Sequence, residues 1–156
     1  MLNDLKIFFD SPQKLEMQNI KPLMGLIGLY FIFNDRIQIQ YPFKQSRLIY
    51  IGMSEKKTNS IGSRLTNHLE GKSKNWGLIN YGKVGQLYFT YINIEMLRKF
   101  WSNRVEDLES YFILDFVEKL GVYPICNNKT GYEVLERKLR ANLVIDWSYF
   151  EDGDIA

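Results

Sequence analysis

The hydrophobic residues of this chain gather in short runs separated by turn-forming residues. Three runs rich in β-branched and aromatic residues predict strands at 26–33 (LIGLYFIF), 47–52 (RLIYIG) and 86–94 (QLYFTYINI). Between the first two runs, the residues at 34–36 favour a turn, and Pro42 argues against a central strand because proline cannot donate to the ladder. We therefore expect a long hairpin arm or loop there. The chain contains no internal repeat and no low-complexity segment.

The first helical spacing covers residues 60–70 and brings two polar residues beside the core. At about 100° per residue, the apolar stripe has two polar neighbours on one side. The stripe consists of Ile61, Leu65 and Leu69, and the neighbours are Arg64 and His68. Asn59 or Ser60 is the expected N-cap, and Gly71 is the expected stop. A lone histidine in such a place is more often structural than catalytic, so a functional interpretation needs further residues.

The strongest helical pattern extends from Arg104 to Leu120, with Asn103 as the expected N-cap and Gly121 as the stop. Its apolar arc consists of Val105, Leu108, Phe112, Ile113, Phe116 and Leu120. Glu109 falls inside that arc, where a carboxylate is costly unless a charge, a metal or several hydrogen bonds satisfy it. Glu109 is therefore either a functional acid or one member of a buried ion pair with an arginine.

The order of the predicted elements indicates an α+β fold. A last helix is expected from about Tyr132 to Leu143. Two strands, a helix, a third strand and two helices predict a small mixed sheet flanked by helices. The length of 156 residues predicts one domain that can bury a sizeable core.

Charge is distributed unevenly although the net charge is only +2. From Lys44 to Lys83 there are eight basic residues and two acidic ones, whereas the tail from Asp146 onward has four acids and no base. Such a pattern is compatible with a site for a polyanion, and an ordinary solvated surface is the alternative.

Composition also limits the metal chemistry and the cellular location. With one histidine and one cysteine, the chain cannot supply the four nitrogen or sulfur ligands of a structural zinc site. A metal, if one acts here, is expected to be Mg²⁺ or Mn²⁺ on oxygen ligands. Because no segment has the ~18 apolar residues that span a bilayer and the start lacks a signal-peptide pattern, we expect a cytoplasmic protein with no membrane partner.

Five short segments in chain order connect these residues. They are GLY at 28–30, YIG at 50–52, RLTNH at 64–68, LESYFI at 108–113 and PICN at 124–127. Each three-letter match is weak alone, but the ordered set resembles the GIY-YIG nuclease family. The resemblance implies a three-stranded antiparallel sheet flanked by helices. It covers a core at about 25–130, with a short N-terminal extension at 1–24 and a C-terminal helical extension at 131–156.

The resemblance implies roles for six catalytic residues. The family pattern assigns Tyr30 to take a proton from the attacking water, with Tyr50 and His68 orienting that water and the Tyr30 hydroxyl. Arg64 would bind a nonbridging phosphate oxygen, and Glu109 would be the sole carboxylate ligand of one Mg²⁺ or Mn²⁺. Asn127, or alternatively Asn128, matches the family asparagine that positions the phosphate or braces the site. Gly52 is expected to leave room for the substrate backbone.

Substrate contacts are expected outside this set, because the chain departs from the family there. Many relatives have a lysine directly after YIG, where this chain has Met53, so that Lys56 or Lys57 is the expected replacement. The residues expected to bind substrate are Lys56, Lys57, Lys72, Lys74 and Trp76. Specificity is expected to come from the arm at 34–47, from a loop at 71–85, from the terminal extensions or from a dimer partner.

The function implied by the resemblance is that of a metal-dependent endonuclease that hydrolyses phosphodiester bonds in DNA. A restriction-like, a mobile-element-type and a structure-specific enzyme are the variants of this hypothesis. RNA is the alternative substrate, and a homodimer is one of the arrangements that the hypothesis allows. The competing hypothesis is a non-catalytic nucleic-acid-binding module that kept the fold. A structural protein with a buried Arg64–Glu109 pair is the third and leaves Tyr30, His68 and Asn127 unexplained.

Overall fold

The computed structural model describes residues 3–101, 103–128 and 142–151, which form a layered α+β structure. The elements follow in the order β1 (Asp4–Ile7), β2 (Gln13–Lys14), α1 (Met17–Ile20), β3 (Gly28–Asn34), β4 (Ile39–Gln40), β5 (Gln45–Ser46), β6 (Leu48–Ser54), α2 (Ile61–Leu69), α3 (Trp76–Val84), β7 (Leu87–Asn93), α4 (Val105–Leu120) and β8 (Asn142–Ile145). Short 3₁₀ helices lie at Lys21–Leu23, Ile94–Leu97 and Trp147–Phe150.

A four-stranded antiparallel sheet forms the centre, in the order β2-β7-β3-β6. The strands predicted at 26–33, 47–52 and 86–94 are confirmed as β3, β6 and β7. The expected number of three strands is wrong, because β2 adds a fourth strand beside β7. β2 has only two residues and both are exposed, so it carries no apolar alternation from which to predict it. The predicted arm contains the short antiparallel pair β4–β5.

The central strand β3 is buried along its whole length and serves a separate core on each face. Phe31 and Phe33 pack in a cluster with residues of α4, whereas Tyr30 and Ile32 pack in a cluster with residues of α2. This division follows from the two-residue period of a strand, which points successive side chains to opposite faces. Tyr30 therefore lies on the same side of the sheet as Arg64 and His68 of α2.

Both amphipathic helices are confirmed, but some details of their ends differ from the prediction. Ser60 caps α2 by accepting a hydrogen bond from the Ser63 backbone N–H at 3.2 Å, and Gly121 ends α4 at a φ of 105°. The prediction of Asn103 as N-cap of α4 is wrong, because Arg104 occupies that position. Leu69 was expected in the core stripe but is 37% exposed, since α2 ends there.

The described part of the C-terminal region contains a strand. β8 pairs in parallel with β1, with Leu143 and Ile145 buried and Asn142 and Val144 exposed. The helix predicted at 132–143 is therefore wrong at its last two positions, which are extended because they pair with β1. The rest of that predicted helix lies outside the described residues.

The residues at 71–85, expected to be a loop, contain the helix α3. Gly77 and Gly82 weaken its sequence signal, because glycine is unfavourable in helix interiors. Asn75 starts the helix by accepting a hydrogen bond from the Leu78 backbone N–H at 3.1 Å. Gly77 is needed for packing, since a Cβ there would lie 2.7 Å from Cys126 Sγ.

Among the described helices, none is long and apolar enough to cross a membrane.

Candidate active site

A cleft of about 430 Å³ collects side chains that are far apart in the sequence. Five of the six residues predicted as catalytic line it, namely Tyr30, Tyr50, Arg64, His68 and Glu109. The other lining residues are Met53, Asn59, Asn67, Ser73, Asn75 and Asn128. Strands β3 and β6 supply the tyrosines, α2 supplies the arginine and the histidine, and α4 supplies the carboxylate. The predicted convergence of these five residues is therefore present in the folded chain.

A chain of hydrogen bonds links the buried sheet to the turn after α2. The hydroxyl oxygen of Tyr30 lies 3.0 Å from His68 Nε2, and His68 Nδ1 lies 2.8 Å from Ser73 Oγ. The Tyr50 ring packs edge-on against the imidazole, with 5.1 Å between their centroids. Ser73 was missed in the sequence, because a turn residue has no periodicity. Its only signal is a hydroxyl five positions after His68.

Burial favours the uncharged forms of His68 and Tyr30. It lowers the pKa of His68 to about 4, and the nearby Arg64 guanidinium adds to that effect. Burial, together with Tyr50, raises the pKa of Tyr30 well above its ordinary value of 10.0, while Arg64 acts in the opposite direction. At neutral pH the imidazole is therefore neutral and the phenol is protonated. A neutral imidazole has one donor and one acceptor nitrogen, which is what a proton relay requires.

Arg64 lines the cleft and has a buried donor that is unsatisfied. Its Nε–H is buried and has no hydrogen-bond partner among the residues that the structure describes. Its charge lowers the pKa values of Tyr30, Tyr50 and His68, which line the same cleft. A buried donor without a partner is costly, and a bound anion would satisfy it. The planar guanidinium suits a phosphate or carboxylate oxygen.

Glu109 is 3% exposed on α4 and is the sole carboxylate residue among the described residues that line the cleft. Glu55, in the turn after β6, fixes the start of this helix. Its Oε1 accepts a hydrogen bond from the Glu106 backbone N–H at 2.8 Å, and its Oε2 lies 3.2 Å from Arg104 Nη2. After burial, the charge of Glu109 is the next cause that raises the pKa of Tyr50, and both side chains line the cleft.

The described residues contain no group of three or more His, Cys, Asp and Glu that could hold a metal ion. A cation in the cleft would therefore depend on one carboxylate, on neutral oxygen atoms and on water. Glu109 would supply the carboxylate, and the side chain of Asn128 offers a neutral oxygen in the same cleft. This donor set fits Mg²⁺ or Mn²⁺, which accept oxygen ligands and keep several waters.

Asn127 braces strand β6. Its Oδ1 accepts a hydrogen bond from the Ile51 backbone N–H at 2.9 Å, and its Nδ2 donates to the Ile51 carbonyl at 3.0 Å. The Cys126 backbone N–H also donates to the Ile49 carbonyl at 2.8 Å, so this segment covers the edge of β6. Of the two asparagines considered from the sequence, Asn128 is the one that lines the cleft.

Gly52 has a different role from the one expected. A Cβ at this position would lie 2.3 Å from Cζ and 2.5 Å from the hydroxyl oxygen of Tyr30. Gly52 pairs with Tyr30 across the two strands, so the missing side chain makes room for the tyrosine ring. The expectation that it makes room for a substrate backbone is therefore wrong. The space is already filled by the protein itself.

The residues expected to bind substrate lie in two surface segments beside the cleft. Lys56 and Lys57 are in the exposed turn before α2, which also contains the cleft residue Asn59. Lys72, Lys74 and Trp76 alternate with the cleft residues Ser73 and Asn75, and Trp76 is 67% exposed. Lys72 Nζ lies 3.6 Å from the Glu70 carboxylate, so part of its charge is balanced within the protein. None of these five residues lines the cleft itself among its described walls.

Comparison with known proteins adds no identification. No family model matches the chain, and no curated protein and no solved structure shows significant similarity to it.

Proposed function

We propose that this protein is a divalent-metal-dependent endonuclease that hydrolyses phosphodiester bonds in DNA. The observation that carries the proposal is the convergence, in one cleft, of a buried carboxylate, an arginine with an unsatisfied buried N–H, and a hydrogen-bonded tyrosine–histidine pair. Hydrolysis of a phosphodiester needs these three functions: a cation site, a phosphate clamp and a proton acceptor. The motifs that resemble GIY-YIG nucleases fall on these residues.

Tyr30 and His68 together would act on the attacking water. The water oxygen forms a bond to phosphorus while its proton passes to the Tyr30 hydroxyl oxygen, and the phenolic proton passes to His68 Nε2. A phenol with a raised pKa is a poor base alone, but this transfer leaves the phenol neutral and places the charge on the imidazole. The relay explains how a buried tyrosine can serve as the residue nearest the water.

Arg64 would hold the phosphate during this step. Its guanidinium donates to a nonbridging oxygen and so stabilises the negative charge that develops in the transition state. The bond between phosphorus and the 3′ oxygen then breaks, and the 3′ oxygen takes a proton from solvent. Glu109 would hold one Mg²⁺ or Mn²⁺ ion, which as a Lewis acid stabilises charge on phosphate and leaving-group oxygens.

The exposed residues beside the cleft would contact the DNA strand on either side of it. They are Lys56, Lys57, Lys72, Lys74 and Trp76. Lysines bind phosphates without reading sequence, and an exposed aromatic ring offers a stacking surface for a base. Sequence recognition, if the enzyme is restriction-like, would depend on the arm at 34–47 and on the segment containing α3.

The test compares the wild type with Glu109→Gln on supercoiled plasmid DNA, in Mg²⁺ and in EDTA. We expect cleavage by the wild type in Mg²⁺ alone and at least a hundredfold loss in Glu109→Gln, because an amide keeps the shape but loses the charge (roughly the effect of removing one charged active-site group). Glu118→Gln is the matched control, since Glu118 is an exposed carboxylate on the same helix. It should cut like the wild type.

The pattern of products separates the remaining hypotheses. Discrete bands would indicate sequence recognition, and a smear would indicate weak specificity. Equal cleavage by the wild type and Glu109→Gln would contradict the role given to the carboxylate. Mg²⁺-independent binding of DNA without cleavage, also with branched DNA and RNA substrates, would favour the non-catalytic binding module.

A further inference from the structure

The turn that follows α2 is built so that a serine meets His68. Gly71 has a φ of +75° and Lys74 a φ of +56°, so two residues of this turn have a left-handed backbone. The Ser73 backbone N–H donates to the Asn67 carbonyl at 3.2 Å, and the Lys74 N–H donates to the Gly71 carbonyl at 3.1 Å. These bonds place Ser73 Oγ 2.8 Å from His68 Nδ1.

The position of the imidazole proton decides whether the Tyr30–His68 pair can work as a relay. With the proton on Nδ1, the ring donates to Ser73, and Nε2 is free to accept from the Tyr30 hydroxyl. With the proton on Nε2, the ring donates to the tyrosine oxygen, and no proton can pass from the phenol to His68. Free histidine in water prefers the Nε2–H tautomer, so the relay needs a partner that favours the other one.

We propose that Ser73 is a positioning residue that accepts a hydrogen bond from His68 Nδ1–H and thereby holds Nε2 as the proton acceptor for Tyr30. Its effect on rate rests on the proposed nuclease function, whereas its effect on the tautomer can be measured without any activity. Tyr30 is fully buried, so its hydroxyl needs an acceptor within the protein. The candidates are His68 Nε2 and the hydroxyl oxygen of Tyr50, and a neutral imidazole nitrogen is a stronger acceptor than a phenol oxygen.

The other charged and titratable groups around His68 do not supply this hydrogen bond. Arg64 lies one turn earlier on α2, and Tyr50 packs against the imidazole ring from the sheet. His68 also borders a second cavity, whose other charged lining residues are Glu70 and Lys83. Arg64 cannot accept a hydrogen bond, and the Nδ1 atom is already in contact with Ser73.

The first experiment reads the tautomer directly. His68 is the sole histidine of the chain, so the two imidazole nitrogens can be observed by ¹⁵N NMR without ambiguity. At pH 7 we expect the wild type to be protonated at Nδ1, and Ser73→Ala to shift toward Nε2–H by about fivefold in the tautomer ratio, the worth of one hydrogen bond. Ser73→Thr keeps the hydroxyl and should restore the wild-type spectrum. Ser63→Ala, a matched loss of a serine hydroxyl on α2, should not change it.

The second experiment measures steady-state cleavage of DNA by the same variants. Ser73→Ala should lower kcat about five- to tenfold while KM stays within about twofold, and Ser73→Thr should recover most of kcat. A rise in KM with an unchanged tautomer would mean that Ser73 contacts substrate instead, and would overturn the proposal. An Nε2–H tautomer in the wild type would overturn it as well. Absence of cleavage by the wild type would contradict the nuclease function, and the NMR result would still decide the role of Ser73.

Discussion

Gly52→Ala is expected to disrupt the candidate site through a single added methyl group. The new Cβ would lie 2.3 Å from Cζ of Tyr30, and a contact of that length forces the ring or the strand to move. The ring is closely packed, because Tyr30 is fully buried with its centroid 6.0 Å from that of Tyr50 and 5.7 Å from that of His68. Overpacking and loss of the Tyr30–His68 hydrogen bond together predict a loss of about 2–4 kcal/mol in the free energy of unfolding.

The assay is urea unfolding of Gly52→Ala in two backgrounds, the wild type and Tyr30→Ala. If the tyrosine ring is the obstacle, the added methyl group should be costly in the first background and nearly neutral in the second. Gly82→Ala on α3 is the control, because its Cβ would meet Leu87 at an ordinary 3.6 Å. It should leave stability unchanged or raise it by up to about 1 kcal/mol. An equal loss in both backgrounds would refute the argument.

Two further predictions concern stability. Asn127→Ala should cost about 2–3 kcal/mol in urea unfolding, since it leaves the Ile51 N–H and carbonyl without their partner, and Asn128→Ala, the adjacent control, should cost much less. For His68, the folded-state pKa of about 4 lies below the unfolded value of ~6.5, so the unfolded chain binds the proton more tightly. Stability present above pH 6.5 is therefore lost as the pH falls toward 4, by at most about 2 kcal/mol at pH 5. His68→Phe should lack this loss between pH 7 and pH 5, and an identical pH dependence in both proteins would contradict the assignment.

Periodicity made the main elements and the inward residues predictable. Glu109 stands out because a carboxylate interrupts an apolar arc, and the structure places it in the cleft at 3% exposure. Arg64 and His68 flank the apolar stripe of α2, and they line the same cleft. A helical wheel is sufficient for such residues, since their direction is fixed by the residues of their own helix.

The remaining features depend on contacts between distant segments. β2 is a strand because β7 offers it a free edge, and the start of α4 is held by Glu55 from another element. The role of Gly52 is set by a ring on the neighbouring strand, and Ser73 reaches His68 through a turn with two left-handed residues. No local pattern encodes these relations, so they could not be derived from the sequence.

Under the proposed function, substrate binding itself would prepare the relay. In the free protein, burial disfavours a proton on His68, and the charge of Arg64 adds to that effect. A phosphodiester bound to Arg64 brings a negative charge that offsets the arginine's effect, so the pKa of His68 should rise when the phosphate is in place. The imidazole then becomes a better proton acceptor only when there is a bond to hydrolyse. The same arginine would thus bind the phosphate and couple its presence to the strength of the base.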